Sequence, residues 1–506
     1  MKIFQTRLFL LSLLVGLFAG VFGSAFRWCL NKSLIVRELM FRHDQTFLYH
    51  ALVFAAMWLL AMGIYWLTRH VPLIGGSGIP QSRGVIFGRF NFTKPWLQFV
   101  SKFFGSLGAI GMGLSLGREG PSVEIGAFGA SLVSKYFKTT PTERRYLTAA
   151  GAGAGLSAAF TAPIASTIFL IEDTLGWVSL RVGLPALLAC ITAGYCAQLM
   201  LPDNIYLTVP TNFPEVSFGV LFMILIGFAI LGALGGKLFN LSLFNFKNWY
   251  KNCKIPTGIK LFGVIGVTYI AGMLILDLTS GGETELIKQT LSEDGNVWWL
   301  FAMVLIKIAF TAISYSTGLC GSLLLPLIVM GGLLGKGYAL MLIQFGIVSP
   351  ETTGFFTIIG MSIFFISVVR APISGLMLIL EMTGQYHVFF PMIIAGTLTF
   401  LFGQYLNIKP VYHKLYQLML QDEQAETGQL TTVNFEVNDD SILIGRQLGQ
   451  IELPGDSKII SIKRDETNPV PVTPALVLQK GDLIQIELPD QNYEKLFKVF
   501  RTLTNE

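Results

Sequence analysis

The chain has 506 residues, 52% of them hydrophobic and only 13% charged, with a mean hydropathy of +0.60 and a formal net charge of +5. A soluble globular chain carries about 25% charged residues, so a single soluble globule is excluded. The small positive balance, without a long basic run, does not suggest a nucleic-acid partner.

The charge is also unevenly placed, since 23 of the 67 acidic and basic residues fall in the last 86 positions. A polytopic membrane region is therefore expected at 1–420, with halves near 1–205 and 215–420. A linker at 421–432 and a small soluble domain at 433–502 follow. The cysteines at 29, 190, 196, 253 and 320 lack metal-ligand spacing and read as small apolar packing residues, so no metal or cofactor is expected.

In chain order, Met1, Lys2 and Arg7 precede an apolar run over 8–26. No small-x-small cleavage site precedes a polar segment, so this predicts a first membrane helix with a cytoplasmic N-terminus. Apolar spans follow at about 51–68, 97–116, 122–136, 147–171 and 181–201. After a loop containing Pro202, Pro210 and Pro214, a second set lies at about 216–246, 258–277, 296–313, 319–346, 354–368, 371–383 and 388–406. Several are too short to cross about 30 Å of hydrocarbon as helices. Their Gly and Pro interruptions predict broken or re-entrant helices, tolerated where protein covers the loose backbone. The basic stretch holding Lys247, Lys251 and Lys254 reads as a cytoplasmic connection.

The halves look related. Ala162-Pro163-Ile164 recurs as Ala371-Pro372-Ile373, and at the same offset Glu172 matches Glu381 and Thr174 matches Thr383. Gly120-Pro121 has a looser counterpart in the stretch from Gly318 to Pro326. Paired interrupted helices in two halves point to inverted repeats with a transport site at their interface. The fold class expected is thus an all-α polytopic membrane protein of two inverted-topology repeats, plus a small C-terminal α+β domain. In that domain 433–437, 459–462 and 483–488 alternate as strands, Pro454-Gly455-Asp456 is a turn, and 491–500 reads as a helix.

The stretch with the most chemistry is Gly117-Arg118-Glu119-Gly120-Pro121, set deep in apolar sequence. Ionisable residues there are expensive against lipid and are expected to face a protein interior or a watery path. The glycines allow close backbone approach, and Pro121 suits the first turn of a helix. Such a helix start has free N–H groups and a positive dipole end, so it suits an anion, and Glu119 is itself one.

Three further stretches accompany it: Gly75-Gly76-Ser77-Gly78-Ile79-Pro80, Gly321-Ser322-Leu323-Leu324-Leu325-Pro326 and Lys409-Pro410-Val411-Tyr412. In this order and spacing the four resemble the CLC family of chloride channels and chloride/proton antiporters, over about 10–420. The resemblance implies a homodimer in the cell's inner (plasma) membrane, both termini cytoplasmic, with an anion pathway in each subunit. It implies a central chloride site made by the Ser77 and Tyr412 hydroxyls and backbone N–H groups near Leu323 and Leu324, with 117–120 (Gly117, Arg118, Glu119, Gly120) beside it. Glu119 is then the gate and external proton carrier, and Asp173 the internal one, where the antiporters usually have Glu.

Leu324 stands where the family commonly has Phe, which bears on selectivity or rate. Retained Ser77 goes with chloride rather than nitrate or fluoride. At the end of the chain, Ile444-Gly445-Arg446-Gln447-Leu448, Leu453-Pro454 and Leu478-Gln479-Lys480-Gly481-Asp482 resemble the C-terminal lobe of potassium-transport regulatory domains (TrkA-C). That implies a cytoplasmic regulatory or dimerising module whose small ligand, if it has one, is not named by the sequence.

Chloride/proton antiport is therefore the expected function, without enzymatic activity. A passive voltage- or pH-gated chloride channel of the same fold is the alternative. A membrane enzyme with Glu119 and Asp173 as acid and base lacks an accompanying nucleophile or phosphate loop, and a ligand-sensing receptor is the remaining rival.

Overall fold

The computed structural model describes residues 2–176, 180–201, 209–276, 279–280, 296–427, 431–438, 441–451, 453–455, 457–464, 468–488 and 493–504. The expected turn at Asp456, the start of the expected helix at 491–492 and Pro202 lie outside them. Among the described residues nine helices are long and apolar enough to cross a membrane.

The first half contains α1 (Lys2–Met40), α2 (Phe47–His70), α3 (Ile79–Ile86), α4 (Pro95–Gly111), α5 (Glu119–Tyr136), α6 (Pro141–Phe160), α7 (Pro163–Phe169) and α8 (Leu180–Met200). The second contains α9 (Phe218–Asn252), α10 (Thr257–Leu274), α11 (Val297–Ser316), α12 (Leu324–Gln344), α13 (Thr353–Val369), α14 (Pro372–Thr383) and α15 (Phe389–Tyr405). Last comes α16 (Val411–Thr427).

Two expectations are corrected. The single span at 147–171 is two helices, α6 and α7, broken where Thr161 takes a left-handed backbone (φ 56°) ahead of Pro163. Proline cannot continue a preceding helix and biases the residue before it away from helical geometry. The basic stretch with Lys247 and Lys251 is not a connection but the last turns of α9, which the aromatic residues Phe246, Trp249 and Tyr250 carry on.

The repeat relation extends beyond the sequence identities. Arg370 ends α13 in a left-handed backbone (φ 66°), as Thr161 ends α6, at the same offset of 209. The Ile373 and Ser374 N–H groups at the start of α14 donate to Glu172, at 3.2 and 2.7 Å. The Ile164 and Ala165 N–H groups of α7 donate to Glu381 at the same two distances. Each half thus caps a helix of the other with its matching glutamate, where a carboxylate both accepts free N–H groups and favours the dipole.

The relation fails by one residue at the end of α7. There Leu170–Leu175 forms a π-helical turn in which the Gly176 N–H reaches the Ile171 carbonyl, five residues back. In α14 the equivalent Gly384 N–H reaches Leu380, four back. One inserted residue accounts for the difference, and such bulges recur at functional positions.

After α16 the chain forms β1 (Thr431–Glu436), β2 (Lys458–Arg464), β3 (Asn468–Val470), β4 (Leu483–Leu488) and α17 (Tyr493–Thr504). The sheet is antiparallel in the order β1-β4-β2-β3. Strand β3 was not anticipated, since three residues are too few for an alternating pattern. The module is seated on the membrane region. Phe87, just past α3, is buried in the module's core with Phe435, Phe497 and Phe500. The Tyr493 hydroxyl donates to the Phe87 carbonyl at 2.7 Å, and the Arg145 side chain donates to the Asn434 carbonyl at 2.5 Å.

Truncating a buried Phe costs about 3–5 kcal/mol. Phe87→Ala is therefore expected to loosen the module's seating, seen as faster proteolytic release of the module than in wild type. Equal release rates would show that Phe87 does not hold it.

The same face carries the start of α1. Arg7 reaches the Phe137 carbonyl at 2.8 Å and lies 3.6 Å from Glu143. Lys251 pairs with Asp422 on α16. Both chain ends thus lie on one side.

Candidate functional site

Three glycine-containing turns meet in the buried interior of the helical region. In the first, Gly76 and Gly78 have positive φ (68° and 94°), which glycine adopts without steric cost, so the chain can turn into α3. The turn is clasped from beneath. Lys102 Nζ donates to the Ile74 and Gly76 carbonyls at 2.8 and 2.9 Å and pairs with Glu124 at 2.7 Å, both side chains fully buried. The Gly78 N–H donates to the Gln81 side chain at 2.9 Å. Ser77 at the tip is 1% exposed.

The second turn, 117–120, pairs with the third. Gly117 and Ser322 exchange both backbone hydrogen bonds, at 2.7 and 2.8 Å. Each lies four residues before a helix-starting proline, Pro121 and Pro326. They are therefore equivalent in the two repeats and pair across the repeat axis. The first and third turns are also joined: the Gly76 N–H donates to Gly318 at 3.1 Å and the Gly321 N–H to Gly76 at 3.0 Å.

Glu119 is fully buried and is the first residue of α5. Its carboxylate folds back over Gly117, where an added Cβ would fall 2.3 Å from it. Gly120 lies against Ser77, and a Cβ there would sit 2.0 Å from the Ser77 carbonyl and 2.7 Å from its hydroxyl. Backbone cannot move away as a flexible side chain can. Gly120→Ala is therefore expected to destabilise the fold by about 1–3 kcal/mol through overpacking. Thermal unfolding in detergent checks this, and an unchanged midpoint would contradict the close approach.

Tyr412, at the start of α16, is 1% exposed. Its hydroxyl does not meet Ser77 directly in a hydrogen bond. The Ser322 hydroxyl stands between them, 3.3 Å from Ser77 Oγ and 3.4 Å from the Tyr412 oxygen. Leu323 and Leu324, both fully buried, are the cap and first residue of α12. The first N–H groups of a helix have no partner within it, so those at the start of α12 are available beside the row of hydroxyls. Arg118 extends to Asn31 on α1 at 3.5 Å.

Asp173 lies in the π-helical turn after α7. Its Oδ2 is buried and has no hydrogen-bond partner among the described residues. Arg83 of α3 donates to the Asp173 backbone carbonyl at 2.6 Å, and the Arg83 guanidinium lies over the rings of Phe87 and Tyr416. The eight-residue helix α3 therefore starts two residues after Ser77 and passes Asp173 on its way to the module. All residues expected at the site from the four motifs are brought together around the three turns, and Asp173 is brought to the module side of them.

Sequence reasoning missed Lys102, Glu124, Arg83 and Ser322. A lysine at 102 inside an apolar span was the available signal, since intramembrane charges are rarely idle. Among the described residues no group of three or more His, Cys, Asp or Glu is arranged to hold a metal.

Comparison with known proteins identifies the family and the fold. Residues 60–404 match the family model described as voltage gated chloride channel, and residues 433–501 match the TrkA-C domain. The chain is 30% identical over 437 residues to the H(+)/Cl(-) exchange transporter ClcA of Vibrio cholerae, covering 83% of this chain and 91% of the relative. It is 31% identical over 431 residues to the ClcA of Klebsiella pneumoniae, covering 82% and 90%. Among solved structures, that of a slow cyanobacterial Cl−/H+ antiporter superposes with a TM-score of 0.74 at 26% identity. The match covers 84% of this chain and 99% of that one. A CLC-type fluoride/proton antiporter, 22% identical with a TM-score of 0.64, shares the fold. With its three interlocked turns and its two capped halves, this chain belongs to the CLC family and carries a TrkA-C domain at its C-terminal end.

Proposed function

We propose that the protein exchanges chloride for protons across the membrane. The observation that carries this reading is a buried carboxylate, Glu119, at the first turn of α5 and beside the hydroxyl row of Ser77 and Tyr412. The exchange activity named for the relatives supports it.

A chloride leaving water needs donors to replace its hydration. The Ser77 and Tyr412 hydroxyls and the backbone N–H groups near Leu323 and Leu324 supply them. None carries a full positive charge that would hold the ion too long. The start of α5, with Gly117, Arg118 and Gly120, suits a second anion position. Glu119 competes for it: two anions repel strongly at close range in a poorly solvated site. Chloride entry therefore favours a protonated, withdrawn Glu119, and chloride departure lets the ionised side chain return. Asp173, whose Oδ2 has no hydrogen-bond partner among the described residues, passes protons between Glu119 and the module side.

The anion site is tested by calorimetric titration of chloride. A hydrogen bond to a charged group is worth about 1.5–3 kcal/mol. Ser77→Ala and Tyr412→Phe are each expected to weaken chloride by about tenfold or more. Wild-type affinity in both would remove this assignment.

The face bearing Arg7, Arg145, Lys251 and the module is the cytoplasmic one by the excess of positive charge there, so both termini are cytoplasmic. The exposed apolar residues Ile164, Ile191, Ile373 and Leu401 lie on α7, α8, α14 and α15, which pack as neighbours. They support the homodimer the family implies, with each subunit keeping its own pathway. Light scattering in detergent giving a single-chain mass would contradict it. The TrkA-C module is regulatory: it grips the end of α3, the helix that starts two residues after Ser77.

A further inference from the structure

We infer that Ser322 is a third hydroxyl donor of the central anion site and helps set its selectivity toward chloride. This rests on the reading above, in which the anion lies beside Ser77 and Tyr412. The Ser322 hydroxyl is fully buried and lies between those two, 3.3 and 3.4 Å from them. It cannot be displaced easily, because its backbone is locked to Gly117 by two hydrogen bonds of 2.7 and 2.8 Å. On the other side, Gly120 approaches so closely that a Cβ there would sit 2.9 Å from the Ser322 Cβ.

The repeat relation gives the position its meaning. At Gly117, its equivalent in the first half, the space beside the backbone is filled by the folded-back Glu119 carboxylate. In the second half the residue matching Glu119 is Leu324, two positions after Ser322, and it cannot compete for hydrogen bonds. The axis thus has a carboxylate on one side and a fixed hydroxyl on the other.

A hydroxyl proton turns about its C–O bond. Three oxygens in a row can therefore donate to one another or turn their protons toward an anion beside them. The start of α12, two residues on, adds N–H groups from the same side. A third donor benefits a strongly hydrated ion most, since that ion loses most on leaving water. Ser322 therefore favours chloride over larger, weakly hydrated anions such as thiocyanate.

The test is calorimetric titration of the purified full chain with chloride and with thiocyanate, for wild type, Ser322→Ala, Ser322→Gly and Ser77→Ala. Ser322→Gly places in the second half the residue its partner already has, which separates loss of the hydroxyl from a packing fault. Both Ser322 variants are expected to bind chloride roughly tenfold more weakly, as for one lost hydrogen bond to a charge, and thiocyanate with a smaller loss. Wild-type or tighter chloride binding in both, with Ser77→Ala still impaired, overturns the role of Ser322 and leaves the site in place. Chloride binding unaffected by Ser77→Ala as well overturns the site and this inference with it.

Discussion

Glu119→Gln is expected to carry chloride while moving no protons. The amide has nearly the shape of the carboxylic acid, so the side chain still fits over Gly117 at the start of α5. It cannot ionise, so it neither competes as an anion nor carries a proton. Proton movement driven by a chloride gradient should fall to that of protein-free liposomes, while chloride flux continues. Full coupling in this variant would remove Glu119 as gate and proton carrier, whatever the anion path.

Asp173→Asn has the second largest expected effect. The acid sits in the π-helical turn that the second half lacks, held from α3 by Arg83 through its backbone carbonyl. That bond does not involve the carboxylate, so it persists in the variant, and the turn is expected to keep its shape. Chloride flux should survive and proton flux should drop by about a hundredfold, the lower range for losing a positioned proton-transfer group. Asp173→Glu, which restores an ionisable group one methylene longer, should recover most of it. If Asn and Glu behave alike, Asp173 is a polar residue at a helix end and the internal proton path lies elsewhere.

Much of this architecture was legible because membranes restrict backbone so strongly. Pro121, Pro163, Pro326 and Pro372 each mark a helix start that the structure contains. Glu119 stood out as a charge where charge is costly. The offset of 209 foretold the repeat, and the exchanged caps of Glu172 and Glu381 give that pattern a physical cause.

Other features left no local signal. Pro163 marks where α7 starts, but that α6 ends at Thr161 itself, a residue that seldom takes a left-handed backbone, is not encoded locally. The π-helical turn rests on one extra residue, which the matching of Glu172 and Thr174 conceals because it falls after them. Ser322 became a site residue only through partners 245 and 90 positions away. The seating of the module on Phe87 joins residues 406 apart, which no local period or motif encodes.

The central claim is that chloride and protons move by one coupled cycle. The direct measurement is the reversal potential of the wild-type protein in planar bilayers or liposomes under opposed chloride and pH gradients. Coupled exchange predicts a reversal potential displaced from the chloride equilibrium value and shifted by pH, with protons driven uphill by chloride. A reversal potential at the chloride value at every pH, with no proton movement, would contradict the account and identify a passive chloride channel.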